Sequence, residues 1–175
     1  MKWLLIILGI SVVMILGMLV VGLCQPVKHS VTRSIHLKQK PEAVFAVLEN
    51  VGDMAKWSTS IGGVEPLGGR DGQPSWRVTL KWGQMQMVMT QLERTRPVRL
   101  ITSMAKEGGP SLGTWTYRLA DEGDGCRIAV TEEGEIANPF FRVLARIRGL
   151  DANIAQTLRD LGRKFGEEPR LQMEQ

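Results

Sequence analysis

The stretch WRVTLKWGQMQMVM, residues 76–89, alternates apolar and polar side chains on both sides of a Gly83-Gln84 turn. Its first half places large apolar side chains on one face, namely Trp76, Val78, Leu80 and Trp82. Its second half does the same with three methionines, Met85, Met87 and Met89. A period of two is that of a β-strand with one buried face. The stretch therefore predicts an antiparallel hairpin whose apolar face lines the interior of the protein.

The same alternation continues on both sides of this hairpin. Residues 31–37 predict a first strand, and residues 100–104 and 114–119 predict two later ones. Asp124-Gly125 is a hairpin signal that leads into a strand through Ile128 and Val130. The pattern indicates one early strand and then six antiparallel strands separated by glycine turns.

Two short helices are predicted between the first strand and the others. Pro41 occupies the favoured first position of a helical stretch that runs to Leu48. A second short helix covers residues 53–56 and ends at Trp57.

The C-terminal part predicts one long amphipathic helix that starts at Asn138-Pro139 and stops at Gly166. Its apolar residues recur at spacings of three, four or seven: Phe140, Leu144, Ile147, Ile154, Leu158, Leu161 and Phe165. Such a helix has about seven turns and a length of about 40 Å, and Gly149 marks a bend in it. We expect an α+β fold in which the helix closes the open side of a curved antiparallel sheet.

The N-terminal residues 3–24 carry no charged side chain, and this run is long enough to cross a bilayer. We interpret residues 1–25 as a transmembrane anchor, 26–29 as a linker, 30–166 as the folded domain and 167–175 as a tail. A cleaved signal peptide is the alternative, but its apolar core is usually only about 7–15 residues long and a small-x-small cleavage site usually follows it. Bulky Leu23 disfavours a lipoprotein site at Cys24.

The charges flanking the anchor do not settle its orientation. Lys2 lies on one side, and Lys28, Arg33, Lys38 and Lys40 lie on the other. This distribution favours a cytoplasmic domain, but two of these charges belong to the domain itself, so the side stays open.

The composition excludes some classes of function. The net charge is +4, and its basic residues are scattered except near the C-terminus. No nucleic-acid motif accompanies them, so we expect no nucleic-acid partner. The C-terminal arginines suit either anionic lipid headgroups or a solvated helix face. Cys24 and Cys126 form neither a disulfide framework nor a metal-ligand cluster.

Four segments of the chain resemble the START/Bet v 1-like (SRPBCC) superfamily, in its polyketide cyclase/dehydrase-like branch. They are Pro41-Glu42-Ala43-Val44-Phe45, Met54-Ala55-Lys56-Trp57, Gly113-Thr114-Trp115-Thr116-Tyr117, and Thr131–Glu135 running into Asn138–Arg142. The last segment is similar to the one joining the final strand to the long helix in bacterial members. The resemblance covers about residues 30–166. It implies a helix-grip fold with a cavity for hydrophobic ligands between sheet and helix. From the apolar N-terminal run we expect a single-pass protein of the bacterial plasma membrane.

The residues themselves show no known catalytic motif. The chain has no zinc-type Cys/His set, no nucleophile elbow and no phosphate-binding loop, so we assign no catalytic residue, metal or cofactor. His29 adjoins the anchor, and His36 falls on the polar face of the first strand. Arg33 and Glu132 share faces with apolar neighbours, which predicts an inward ion pair that closes one end of the cavity.

We expect the cavity to be apolar and lined by seven residues, Trp76, Leu80, Met87, Met89, Trp115, Tyr117 and Leu144, with Arg33 and Glu132 at its end. The methionines give a surface that can repack around different ligands, although packing of an ordinary core explains them equally well. The first hypothesis is a membrane-anchored binding or transfer module for a lipid, isoprenoid, quinone or similar molecule. The alternative is a cyclase- or dehydrase-like enzyme acting on a polyketide-like substrate. The sequence predicts no particular protein partner.

Overall fold

The protein is described by a computed structural model that covers residues 2–70, 72–109 and 111–174. Its elements, in chain order, are α1 Lys2–Leu23, β1 Lys28–Leu37, α2 Pro41–Glu49, α3 Met54–Trp57, β2 Ile61–Arg70, β3 Gln73–Leu80, β4 Gln86–Thr95, β5 Arg99–Ala105, β6 Ser111–Glu122, β7 Gly125–Glu135, α4 Pro139–Arg148, α5 Ala152–Lys164 and β8 Gln172–Met173. The chain forms two compact units. The first contains α1 and α4, and the second contains the sheet with α2, α3 and α5.

The strands form one antiparallel sheet in the order β2-β3-β4-β5-β6-β7-β1-β8. The early strand β1 lies beside β7, and the hydroxyls of Thr32 and Thr131 are hydrogen-bonded at 2.9 Å across this pair. The prediction of an α+β fold with a curved sheet and a C-terminal helix is confirmed.

The alternation read from the sequence produces one continuous inward face. Trp76 is paired with Met89, Thr102 with Trp115, and Leu100 with Tyr117. Residues opposite each other in a ladder point to the same side. The apolar sides of β3 to β7 therefore form a single surface, which packs against α2, α3 and α5.

The core beneath this face has two hydrophobic clusters. The first joins β1 and β5–β7 to α2 and α5, and its centre includes Phe45, Ile128 and Leu158, each at most 1% exposed. The second joins β2–β4 to α3 through residues such as Met54 and Val78. The side chain of Trp57 packs against both clusters.

The β6–β7 hairpin forms where predicted, but its turn lies one residue earlier. Gly123 and Asp124 make the turn, with φ of 60° at Gly123, and Gly125 already belongs to β7. A Cβ at Gly125 would lie 2.0 Å from the carbonyl oxygen of Leu37. Glycine is needed there because β1 approaches closely, and not because of the turn.

The predicted long C-terminal helix is two helices. Gly149 has φ of 93° and ends α4, and α5 begins three residues later. In α5, Ile154 and Leu158 are fully buried, as expected. In α4, Leu144 is 49% exposed and Ile147 is 77% exposed. The predicted apolar stripe is therefore not one continuous buried face across both helices.

The predicted strands around Gly83-Gln84 are also shorter than the pattern indicated. Strand β3 ends at Leu80, and Trp82 lies in a 3-10 turn with its side chain 76% exposed. Met85 precedes β4 and is 40% exposed, whereas Met87 and Met89 are each 6% exposed. The inward methionine face therefore has two members instead of three.

Helix α1 has 22 residues. The most apolar window of this helix has a mean hydropathy of 3.1, and none of that window is buried. Its length of about 33 Å matches the hydrocarbon thickness of a bilayer. By length and composition, α1 is able to span a membrane or to act as a signal sequence.

Candidate ligand-binding site on the inward face

The inward face has a sealed end and a more open end. At the sealed end, Leu37, Cys126 and Ile128 have no exposed surface. At the other end, Met104 and Trp115 are only half-buried. These two residues point inward and still keep accessible apolar surface, which is the property that a binding surface for an apolar molecule requires.

Two glycines lie opposite each other at the open end. Gly113 of β6 is paired with Gly134 of β7, so the inward face carries no side chain at this position. A Cβ at Gly113 would lie 2.6 Å from the carbonyl oxygen of Glu133. Glycine at position 113 therefore allows the two strands to approach closely.

Six of the predicted lining residues lie on this one face. Trp76, Leu80 and Met89 belong to the second hydrophobic cluster or pack against it, and Met87 shares their face because it is paired with Val78. The other two are in contact, since the rings of Trp115 and Tyr117 have centroids 6.1 Å apart at an angle of 51°.

Leu144 is the exception among the predicted lining residues. It belongs to α4, which lies in the other compact unit, and it is a member of neither hydrophobic cluster of the described residues. Its place in the ligand site therefore stays a prediction.

Arg33 binds a carboxylate that sequence reasoning missed. Its guanidinium donates to Asp151 Oδ2 from Nε at 2.7 Å and from Nη2 at 2.6 Å. The two side chains are 20% and 27% exposed, so the ion pair is largely shielded from water. Asp151 directly precedes α5, and its distance of 118 residues from Arg33 left no local signal in the sequence.

Glu132 lies on the inward face opposite Trp115, and its side chain is half-buried. Arg33 shares its face of β1 with buried Ile35, and Glu132 shares its face of β7 with buried Val130, so alternation places both Arg33 and Glu132 inward. Direct pairing of these two groups stays a prediction, because Asp151 is the partner that the geometry gives Arg33.

The phenol of Tyr117 is held in its protonated form. Burial, and secondarily the negative charge of Glu132, raises the pKa of Tyr117. A neutral hydroxyl both donates and accepts hydrogen bonds, and Tyr117 is 4% exposed within the first cluster. It is therefore a polar group available within an apolar surface.

Trp57 supplies a second polar group. Its indole Nε1 is buried and makes no hydrogen bond to any part of the chain that the structure describes. A buried donor without an acceptor costs about 1–3 kcal/mol, so a ligand oxygen at this position would stabilise the site. The segment Met54-Ala55-Lys56-Trp57 contributed to the family resemblance, but its tryptophan was not predicted to line the site.

A separate groove of about 560 Å³ lies on the outer face of the sheet. Three arginines line it, Arg99, Arg118 and Arg127, and Glu174 of the C-terminal segment binds Arg127 at 2.6 Å. None of the predicted site residues belongs to this groove. Its basic lining suits an anionic group better than an apolar molecule.

Comparisons with known proteins agree with this architecture. A family model described as "Polyketide cyclase / dehydrase and lipid transport" matches residues 28–166. No curated protein matches the chain in sequence.

Solved structures share the fold at low sequence identity. The di-domain aromatase/cyclase BexL of the BE-7585A biosynthetic pathway is 13% identical to this chain, with a TM-score of 0.63. The match covers 81% of this chain and 51% of BexL, so this chain spans about half the length of BexL. A START superfamily protein from Mycobacterium smegmatis is 16% identical with a TM-score of 0.59, and the match covers 78% of this chain and 99% of that one. The ZhuI aromatase/cyclase from Streptomyces sp. R1128 is 13% identical with a TM-score of 0.60, with coverage of 77% and 91%. The chain belongs to the polyketide cyclase/dehydrase and lipid transport family, within the START/Bet v 1 superfamily.

Proposed function

We propose that the protein is a membrane-anchored module that binds or transfers a hydrophobic ligand, such as a lipid, isoprenoid or quinone, on the inward face of its sheet. The observation that carries this proposal is the row of inward apolar side chains that stay half-buried, including Trp76, Met104 and Trp115. These side chains point inward and keep accessible apolar surface, which a bound apolar molecule would cover.

The polar groups of the site support a ligand with few polar atoms. Trp57 Nε1 offers one donor, and the Tyr117 hydroxyl offers a second hydrogen-bonding group. Apolar pockets with a small number of placed polar groups are the usual form of small-molecule sites. A ligand with an oxygen at one end of an apolar body satisfies this arrangement.

Helix α1 supports a membrane as the source of the ligand. Only Cys24–Val27 separate the end of α1 from the start of β1. Four residues reach at most about 14 Å when extended, so an anchor at α1 would keep the domain near the bilayer. Such tethering is useful for a ligand that is scarce in water and abundant in lipid.

The test is mass spectrometry of molecules that co-purify with the detergent-extracted full chain. Wild-type protein is expected to retain an apolar molecule in a fixed ratio, and Met89→Asp is expected to lose it because a buried carboxylate is heavily penalised. Leu92→Asp is the matched control, since Leu92 lies in the same strand and is 41% exposed.

Circular dichroism of each variant separates loss of ligand from loss of fold, and Met89→Leu provides an apolar substitution at the same position. Wild-type protein that co-purifies with no apolar molecule and binds no apolar fluorescent probe would refute the carrier proposal.

Catalysis is the second candidate, and Glu132 is the observation that favours it. This half-buried carboxylate lies on the inward face and is close enough to raise the pKa of the Tyr117 phenol. A carboxylate beside a phenol on a binding surface is able to move protons during a cyclisation or dehydration. Conversion of a soluble poly-β-ketone by wild-type protein, and its loss in Glu132→Gln, would favour an enzyme over a carrier.

A further inference from the structure

Helix α4 exposes an apolar face in the unit that contains α1. Phe141, Leu144 and Ile147 follow one another at spacings of three residues and are 60%, 49% and 77% exposed. Spacings of three place them along one side of the helix. Large apolar side chains that are exposed together usually mark a surface that another phase or molecule covers.

The start of α4 is fixed to the end of α1. A Cβ at Gly22 would lie 2.2 Å from the carbonyl oxygen of Pro139, so only glycine permits this contact. Arg142 is 8% exposed and donates to the carbonyl oxygens of Gln25 at 2.7 Å and Ala137 at 3.2 Å. These contacts connect the first turn of α4 to the residues that follow α1.

The charges of α4 are of one sign. The sequence of the helix, PFFRVLARIR, contains three arginines and no acidic residue. Arg142 is engaged with backbone carbonyls. Arg146 is exposed and lies on the side of the helix away from Phe141, Leu144 and Ile147. A helix with an apolar face and a basic polar face is typical of helices that lie in the headgroup region of a membrane.

We propose that α4 is an interfacial helix that lies on an anionic bilayer surface, with Phe141, Leu144 and Ile147 inserted at the boundary of the acyl chains. The inference rests on the membrane anchorage in the proposed function and is independent of ligand binding. Lipid is the chosen occupant because the start of α4 contacts the apolar helix α1 at Gly22 and Pro139, and because all the charged side chains of α4 are positive. The exposed Arg146 then faces the phosphate groups.

The test is collision-accessibility EPR on the full chain in lipid nanodiscs that contain phosphatidylglycerol. A spin label is introduced by Ile147→Cys in a Cys24→Ser background, while Cys126 stays in place because it is fully buried. Val13→Cys in α1 reports on the anchor, and Leu92→Cys reports on an exposed apolar position of the sheet. We expect the oxygen-to-nickel accessibility ratio to be several-fold higher at positions 147 and 13 than at position 92.

The other outcomes overturn the inference in distinguishable ways. High accessibility to the aqueous nickel complex at position 147, with position 13 in lipid, would refute the interfacial helix and leave the anchor intact. Protection of position 147 from both reagents would show that a second copy or another part of the protein covers α4. An aqueous position 13 would refute both the interfacial helix and the membrane anchor of the proposed function.

Discussion

At the scale of single residues, the buried indole of Trp57 offers a test of ligand binding on the inward face. Its Nε1 has no acceptor in the described residues, so removing the donor alone should not harm the ligand-free protein. We expect Trp57→Phe to weaken binding of an oxygen-bearing apolar ligand about two- to tenfold, the effect of one hydrogen bond. The ligand-free melting temperature should stay the same or rise.

Fluorescence displacement and thermal melting of the same preparation measure both quantities. A variant that loses stability but binds as tightly as wild type would show that Trp57 serves packing only.

Cys126 gives a pH dependence with a defined sign. Burial raises the pKa of its thiol from 9.0 to about 11. Below about pH 9 the thiol is neutral in both states, so it adds no slope. Between about pH 9 and 11 the unfolded chain loses the proton first, and the free energy of unfolding should fall.

We therefore expect Cys126→Ala to show a shallower fall than wild type when urea unfolding is compared at about pH 8 and about pH 10.5. Cys24→Ala is the matched control because that thiol is exposed, and it should retain the wild-type slope. Equal slopes in all three proteins would contradict the assignment.

Residue-level prediction from the sequence succeeded where a local pattern decided orientation. Alternation placed Trp76, Met89, Trp115 and Tyr117 on one face, and the ladder pairs confirm it. It failed for Arg33, whose partner Asp151 comes from a distant turn. Alternation fixes the side of the sheet to which a residue points, but not which loop lies opposite.

At the scale of elements, α5 provides the structural support of the sheet. Leu158 has no exposed surface and belongs to the first cluster. Leu158→Ala should lower the free energy of unfolding by about 2–5 kcal/mol, because it leaves a cavity. Arg159→Ala is the matched control on the exposed side of the same helix and should change it by less than about 0.5 kcal/mol.

Urea unfolding in detergent, followed by circular dichroism, measures both changes. If Leu158→Ala costs no more than Arg159→Ala, α5 does not hold the core in the way the structure indicates.

The C-terminal helices show why a period alone cannot define an element. Each of α4 and α5 is amphipathic, so their apolar positions continue one apparent stripe across Gly149. The positive φ at Gly149 ends α4. The apolar residues of α5 are buried, whereas Leu144 and Ile147 of α4 are exposed. The sequence identified the interruption, but it contained no signal that Leu144 and Ile147 would be exposed.

At the scale of the whole molecule, the order of elements was predictable because each has a strong local pattern. A strand, two short helices, six strands and a C-terminal helical region follow one another as expected. The short strand β8, which pairs with Arg33 and Ser34 of β1, was not predicted, because its two residues carry no period. The outer groove was missed for a related reason, since its three arginines come from three separate strands.

Binding of an apolar ligand on the inward face can be tested by photo-crosslinking of the full chain in lipid nanodiscs with a diazirine-bearing fatty acid, followed by peptide mass spectrometry. We expect labels on inward residues such as Trp76, Met89 and Trp115, and their loss in Met89→Asp but not in Leu92→Asp. Labelling confined to α1, or to the outer groove around Arg118, would contradict it.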